Sequence, residues 1–480
     1  MSSKAAVLVT LIAYKVVLLA IGLLAERRTR DGVDFFLGGR RLGPLVAAIS
    51  ASASSSSAWT LLGVSGAAYG WGLSAIWLFP ACVGGFVLNW WVLAPALREH
   101  GRRTEAVTVT DVIAGPAGQA LRGAVVAVAS AVVLVSLGSY VASQFAGAGK
   151  AIGKTFDIDS DPSVIAGAAI VIAYTLLGGF WAVSLTDTLQ GLVMAGACVL
   201  LPLAALVDVG GPAALVESLR AVSEDGYLDW TRDAGLAGGI GFVLGTLGIG
   251  LGYPGQPHVV NRFLALRGGA AELRWARRAS IAWAVTVYSG MLALGWCGRV
   301  LFPGLSDPET VLVEAANSLL HPVLAGILLA AVLSAVMSTT DSQLLVAAST
   351  ITHDLGLGGR TQRHVLLRSR LTVLALGGAA VVAALWVREA IFHRVLFAWT
   401  AMGAAFGPLL LVTVLRGPVR PRFRIAAMAL GFGLSAVFYA LDGTRGGILE
   451  RVAPFGVALA VCVWGASSRG LDPAGAGARS

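Results

Sequence analysis

Six serines, Ser50, Ser52, Ser54, Ser55, Ser56 and Ser57, lie between PLVAAI and VSGAAYGWGL, flanks apolar enough to sit in a bilayer. Serine competes for its own backbone hydrogen bonds and weakens a helix. The carbonyls so released, together with hydroxyls, are oxygen ligands of the kind a hard cation such as Na+ prefers. A second polar island, SAVMSTTDSQ at residues 334–343, sets Ser338 beside Thr339 in the middle of another apolar run. With Ala53 and Ser56 at the expected break in the serine stretch, these two hydroxyls form a candidate uncharged cage for one monovalent cation. Asp341 follows three residues after Ser338, a spacing that can put both on one side of a helix. A carboxylate at the centre of a spanning helix costs about 2.5 to 3.5 kcal/mol, so Asp341 is either a second cation or proton site or a cap for neighbouring polar groups.

These residues need a membrane scaffold, and the composition supplies one. Of 480 residues, 56% are hydrophobic and 13% charged, and the mean hydropathy is +0.79. Apolar stretches of the length needed to cross hydrocarbon recur at 5–25, 44–68, 73–94, 121–146, 163–182, 185–207, 237–253, 279–302, 322–352, 371–387, 391–415, 425–441 and 452–466. The expectation is an all-α integral membrane protein with about thirteen spans. The net charge of +9 does not form a nucleic-acid face, because the basic residues are sorted by loop. One set of alternate loops holds Arg27, Arg28, Arg30, Arg40 and Arg41; Arg98, Arg102 and Arg103; Arg262, Arg267, Arg274, Arg277 and Arg278; Arg360, Arg363, Arg368 and Arg370; and Arg416, Arg420, Arg422 and Arg424. The other set is acidic, with Asp157, Asp159, Asp161, Glu217, Glu224, Asp225, Asp307, Glu309 and Glu314 against Lys150, Lys154, Arg220, Arg232, Arg388, Arg445 and Arg451. The positive-inside rule then puts the N-terminus outside and the C-terminus inside. Cys82, Cys198, Cys297 and Cys462 all fall in apolar runs and read as small buried hydrophobes.

Irregular backbone survives in hydrocarbon only where it lines a cavity or is buried in protein. Besides the two polar stretches, GGIGFVLGTLGIGLGYPGQP (238–257) packs eight glycines and two prolines into the seventh span. The serine run and this stretch open two consecutive groups of five helices, spans 2–6 and 7–11. Five is odd, so the groups run oppositely through the membrane, and paired discontinuous helices in inverted halves point to a midplane transport site. Small residues placed only for close helix packing are the alternative, but four adjacent serines face every direction and packing needs one face.

DFFLGGRRLGPLVAAISASASSSSAWTLLG, YTLLGGFWAVSLTDTLQ (174–190), GLGYPGQPHVVNRF (250–263) and LLAAVLSAVMSTTDSQLLVAASTITHDL (328–355) resemble, in order, the signature segments of the sodium:solute symporter family, most closely its sodium/proline branch. The resemblance implies a 5+5 inverted-repeat core of the LeuT type, with a first repeat over 44–209, an inverted second repeat over 237–416, peripheral helices at 5–25 and over 420–467, and a short cytoplasmic tail at 468–480. It implies a bacterial plasma-membrane symporter that imports a small amino or imino acid, L-proline foremost, on a sodium gradient, with no organic cofactor and no obligatory protein partner. The sodium ligands map onto the carbonyls of Ala53, Ser56 and Ala335 and the hydroxyls of Ser338 and Thr339. Asp187 maps onto an ion-pathway aspartate, although from the sequence alone Thr186 and Asp187 read as helix caps. With Asp341 and Ser342 it makes the candidate second ion or proton site. Substrate contacts map onto Ser57, Trp59, Tyr140, Tyr253 and Pro257. Ser55 replaces an aspartate of the proline branch and Ile249 a tryptophan, and Asp341 stands where that branch has a small hydroxyl residue.

Other solutes (another amino acid, a monocarboxylate, pantothenate), proton coupling, and a sensor that keeps the transporter fold without turnover are the competing readings. A serine hydrolase fails, since GVSG (63–66) is followed by Ala67 instead of completing G-x-S-x-G. No Arg or Lys is expected to be buried near the breaks, which disfavours di- and tricarboxylates. His258 is expected to be solvated or capping, and no metal site beyond sodium is expected.

Overall fold

The computed structural model describes residues 3–26, 40–176, 180–222, 226–232, 235–359, 361–387 and 390–466. Arg27, Arg28, Arg30, Glu224, Asp225, Arg360, Arg388, the DFFLGG segment and the tail at 468–480 lie outside them. The helices are α1 (Ser3–Glu26), α2 (Pro44–Ser55), α3 (Val64–Trp71), α4 (Leu78–Val87), α5 (Ala94–Thr104), α6 (Val109–Ala114), α7 (Arg122–Phe156), α8 (Ser160–Thr175), α9 (Phe180–Val209) and α10 (Pro212–Val222). They continue with α11 (Gly235–Leu247), α12 (Pro257–Ala265), α13 (Ala270–Leu301), α14 (Val311–Leu319), α15 (Pro322–Ser349), α16 (Gln362–Trp386), α17 (Ile391–Leu415), α18 (Pro421–Ala440), α19 (Ile448–Arg451) and α20 (Ala453–Gly465).

Eleven helical runs among the described residues are long and apolar enough to cross a membrane, against the thirteen spans expected. The difference has local causes. The serine break leaves α2 only 12 residues long, and α8 has only 16. The chain from Trp59 to Thr104 then runs on as one 46-residue helical stretch, turning at Gly72, whose φ of 67° suits glycine. Leu8, Val9, Ile12 and Val16 on α1, like Leu192, Leu203 and Val207 on α9, are exposed large apolar residues, the surface a lipid-facing helix presents.

Both expected breaks are present. In α2 the hydroxyls of Ser52 and Ser55 bond back to the carbonyls of Ala48 (2.8 Å) and Ser52 (2.9 Å). The helix stops at Ser55; Ser56 is extended at φ −116° and ψ 98°, and the chain resumes as a π-helical turn at Trp59–Gly63. In the glycine-rich span, α11 tightens into a 3-10 turn over Gly248–Gly255, Gln256 is extended at φ −95° and ψ 99°, and Pro257 starts α12. Proline has no N–H to continue the preceding helix but fits a first turn.

The third expected irregularity is absent. Pro322–Ser349 is one continuous α-helix: Ser338 and Thr339 turn their hydroxyls to carbonyls of α2 and Ser334 bonds the carbonyl four residues back (2.6 Å to Ala330), so these groups do not compete for its backbone bonds, while Thr340, Gln343 and one oxygen of Asp341 stay buried without partners. The helix is buried along nearly all its length, packed on α1, α2, α7, α9 and α16. The 3-10 turn packs on α17 so closely that a Cβ on Gly403 would lie 2.5 Å from the Gly252 Cα. Gly403→Ala is therefore expected to destabilise the protein by about 1–3 kcal/mol, as overpacking does, measured as a lower thermal midpoint of the purified protein.

Candidate ion and substrate site

The α2 break meets the middle of α15. The Ser338 hydroxyl lies 3.3 Å from the carbonyls of both Ala53 and Ala335, and the Thr339 hydroxyl donates to the Ser54 carbonyl at 3.2 Å. These contacts are longer than the usual 2.7–2.8 Å of O–H···O bonds. Ser56 closes its turn through its N–H to the Ala53 carbonyl at 3.1 Å, and its buried hydroxyl has no partner. The structure thus brings Ala53, Ala335, Ser338 and Thr339 together, adds the Ser54 carbonyl, and sets Ser56 at the rim through its backbone. A fully buried, uncharged set of carbonyl and hydroxyl oxygens with one orphaned hydroxyl beside it fits a hard monovalent cation.

Asp187 does not cap its helix: α9 begins at Phe180, and the carboxylate is completely buried on its inner face. Its Oδ2 accepts from Ser50 at 2.9 Å, Ser54 at 3.3 Å and Ser342 at 3.4 Å. Arg262 corrects two expectations. It is 1% exposed rather than a loop residue, and it places a buried guanidinium beside the break, where none was expected. Its Nη2 sits 2.8 Å from Asp187 Oδ2 and 2.6 Å from Ser342 Oγ, and its Nε 3.0 Å from Ser50 Oγ. The arginine is reached through α12, which returns as a helix after the seventh-span break and packs on α2 and α15.

Asp341 faces elsewhere. Its Oδ1 takes the hydroxyl of Thr175 on α8, and Oδ2 is buried without a partner. Asp187 and Ser342 are joined, but among the described residues no hydrogen bond joins either to Asp341.

The five expected substrate residues converge on one aromatic shell. The Tyr140 hydroxyl donates to Ser57 Oγ at 3.2 Å, and the Tyr140 ring meets the Trp399 ring edge-on at 6.4 Å. Tyr253 packs on Trp399 at 4.7 Å and shares a 2.9 Å hydroxyl contact with Tyr288. Trp59 stands edge-on to Tyr288 at 6.3 Å, with its indole N–H buried and unpartnered. Pro257 starts α12 next to His258, which is fully buried rather than solvated, its ring 6.1 Å from Tyr140 and its nitrogens without hydrogen-bond partners. At Ile249, where the resemblance leads one to expect a tryptophan, an indole lies alongside: Trp399 Nε1 donates to the Ile249 carbonyl at 3.2 Å. On one side of the shell, Phe392 lies over Trp59 (5.8 Å) and Trp71 (4.8 Å), and beyond it is a pocket of about 170 Å³ lined by Asp307 and Glu309.

Gln144 is a further residue that the sequence did not single out. Its Oε1 accepts the Ala58 N–H at 3.0 Å, the backbone donor released by the break. The one sequence signal was a lone amide among the apolar residues and serines of α7. Gln144→Leu leaves that N–H buried and unpaired, so it is expected to cost about 1–3 kcal/mol, seen as a lower thermal midpoint together with weaker substrate uptake.

The sodium:solute symporter family model matches residues 35–420. The sodium/proline symporter of Salmonella typhimurium is 35% identical over 447 residues, covering 90% of this chain and 87% of that protein. An osmoregulated proline transporter of Bacillus subtilis is 34% identical over 434 residues, covering 88% and 87%. A substrate-bound, outward-open sodium-coupled sialic acid symporter superposes with a TM-score of 0.77 at 16% identity, over 97% of this chain and 98% of that one. A nucleobase-cation-symport-1 transporter in a closed conformation superposes with a TM-score of 0.56 at 14% identity, over 91% and 96%. These likenesses show the LeuT-type fold. With the family model spanning most of the chain and relatives a third identical across it, the protein belongs to the sodium:solute symporter family, and is a multi-pass membrane transporter, not an enzyme.

Proposed function

We propose that the chain is a sodium-driven importer of L-proline in a bacterial plasma membrane. The observation that carries this reading is the pair of hydroxyls, Ser338 and Thr339, reaching carbonyls on the broken α2. Sodium is a co-substrate here, held by Ala53, Ser56, Ala335, Ser338 and Thr339. Beside it, Ser57, Trp59, Tyr140, Tyr253 and Pro257, completed by Trp399 and Tyr288, enclose a small apolar ring. The naming of the relatives as proline transporters supports the solute, and the indole of Trp399 at Ile249 supplies the aromatic wall that the substitution removes.

A cation that ties α2 to α15 favours the state with the site open to the outside, and ligands shift such an equilibrium only through different affinities for its two states. Phe392 over Trp59 and Trp71 closes the side we assign to the exterior. Arg262 with Asp187 and Ser342 closes the opposite side, where the arginine-rich loops lie, and the pair must part for ion release. On this reading the inverted halves are 44–209 and 237–416, flanked by peripheral helices at 5–25 and 420–467.

Purified protein in liposomes tests the reading. Labelled proline is expected to accumulate above its external concentration under an inward Na+ gradient and to leak out when the gradient is collapsed. Equal uptake in K+, or a response to a pH gradient alone, contradicts it.

A further inference from the structure

α1 sits outside the transport core of the proposed reading, yet the middle of its apolar stretch, Lys4–Ile21, carries Lys15. A cation at that depth is costly and calls for a partner. α1 packs directly on α15. The Tyr14 hydroxyl meets Ser334 Oγ at 2.6 Å, and Lys15 Nζ rests on the sulfur of Met337. A thioether is a weak acceptor. One helical turn further along the same face of α15 is Asp341, 0% exposed, with Oδ1 taken by Thr175 and Oδ2 unpartnered.

The ammonium therefore lacks a strong acceptor and the carboxylate oxygen lacks a donor. Four residues, about 6 Å of helix rise, separate their positions on α15, within the swing of a four-carbon stem. Among the charged groups acting on Asp341, Lys15 is the cation and Asp187 an anion. Asp187 is already held by Arg262 at 2.8 Å. We propose that Lys15 is the fixed counter-cation of Asp341, so that this carboxylate, although next to the sodium cage, takes no ion from solution and the transporter moves one sodium per proline.

The inference rests on the sodium/proline reading for its stoichiometry, but not for the pairing. The cage at Ser338 and Thr339 is uncharged, so one sodium carried with zwitterionic proline moves one net charge. A second exchangeable ion at Asp341 would move two. With Lys15 on Asp341 and Arg262 on Asp187, each buried carboxylate has a tethered cation.

The test uses Lys15→Met, Asp341→Asn and the double variant in liposomes, with uptake, charge per proline from the reversal potential, and the thermal midpoint of the purified proteins. Removing one partner of a buried pair strands the other, whereas removing both is tolerated. Each single variant is expected to lose about 10-fold or more in uptake and to melt earlier, and the double to recover to within about 3-fold of the parent. The parent should move one charge per proline. A double variant no better than Asp341→Asn, or two charges per proline in the parent, overturns the inference. If the parent shows no sodium-driven proline uptake, the functional reading fails while the pairing is still decided by the melting order: a double variant below either single refutes it.

Discussion

Ser338→Ala is expected to raise the Na+ concentration for half-maximal proline uptake by about 10- to 150-fold, the equivalent of about 1.5–3 kcal/mol for a polar group bonded to a charge. The hydroxyl lies 3.3 Å from carbonyls on both sides of the cage, Ala53 of α2 and Ala335 of its own helix, so its loss removes the link between the two elements and, on the proposed reading, one oxygen ligand of the cation. Reciprocal coupling requires that proline affinity at low Na+ fall by a similar factor while affinity at saturating Na+ changes little. Uptake curves across a grid of Na+ and proline concentrations read both effects. Equal loss of proline affinity at all Na+ concentrations would show that Ser338 contacts the solute instead.

Arg262→Met is expected to be the most damaging substitution on the opposite side of the site. It leaves Asp187 buried with serine hydroxyls as its remaining partners, and stripping one member from such a pair costs about 3–5 kcal/mol. That penalty falls on the closed arrangement in which the two groups meet at 2.8 Å. Net uptake is expected to drop on the order of 100- to 4000-fold, and combining the change with Asp187→Asn should recover part of it. Additive losses in the double variant would mean that the two residues act separately.

What the sequence disclosed, and what it hid, follows from the range of the interactions. The break at Ser56 was legible because serines compete for local backbone bonds, and the break at Gln256 because Pro257 cannot donate. The polar centre of α15 carried the same composition signal and yet stays helical: Ser338 and Thr339 spend their hydroxyls on α2, over 280 residues away in the chain. Periodicity does not report such distant partners. Arg262 looked like a loop cation because it follows a proline break, whereas α12 folds it back against Asp187. Asp341 shares a helix with Ser338 but turns to Thr175 of α8, since three residues of helix leave a choice between adjoining faces. Trp399 and Gln144 were silent for the same reason as Arg262: their partners are 150 and 86 positions away.

The central claim is that a cation binds between the α2 break and α15. Equilibrium binding of radiolabelled Na+ to the purified protein, with and without proline, measures it directly. The account predicts saturable binding that proline strengthens and that Thr339→Ala abolishes at millimolar Na+, with the variant still folded by its thermal midpoint. Undiminished Na+ binding in a folded Thr339→Ala protein would contradict it.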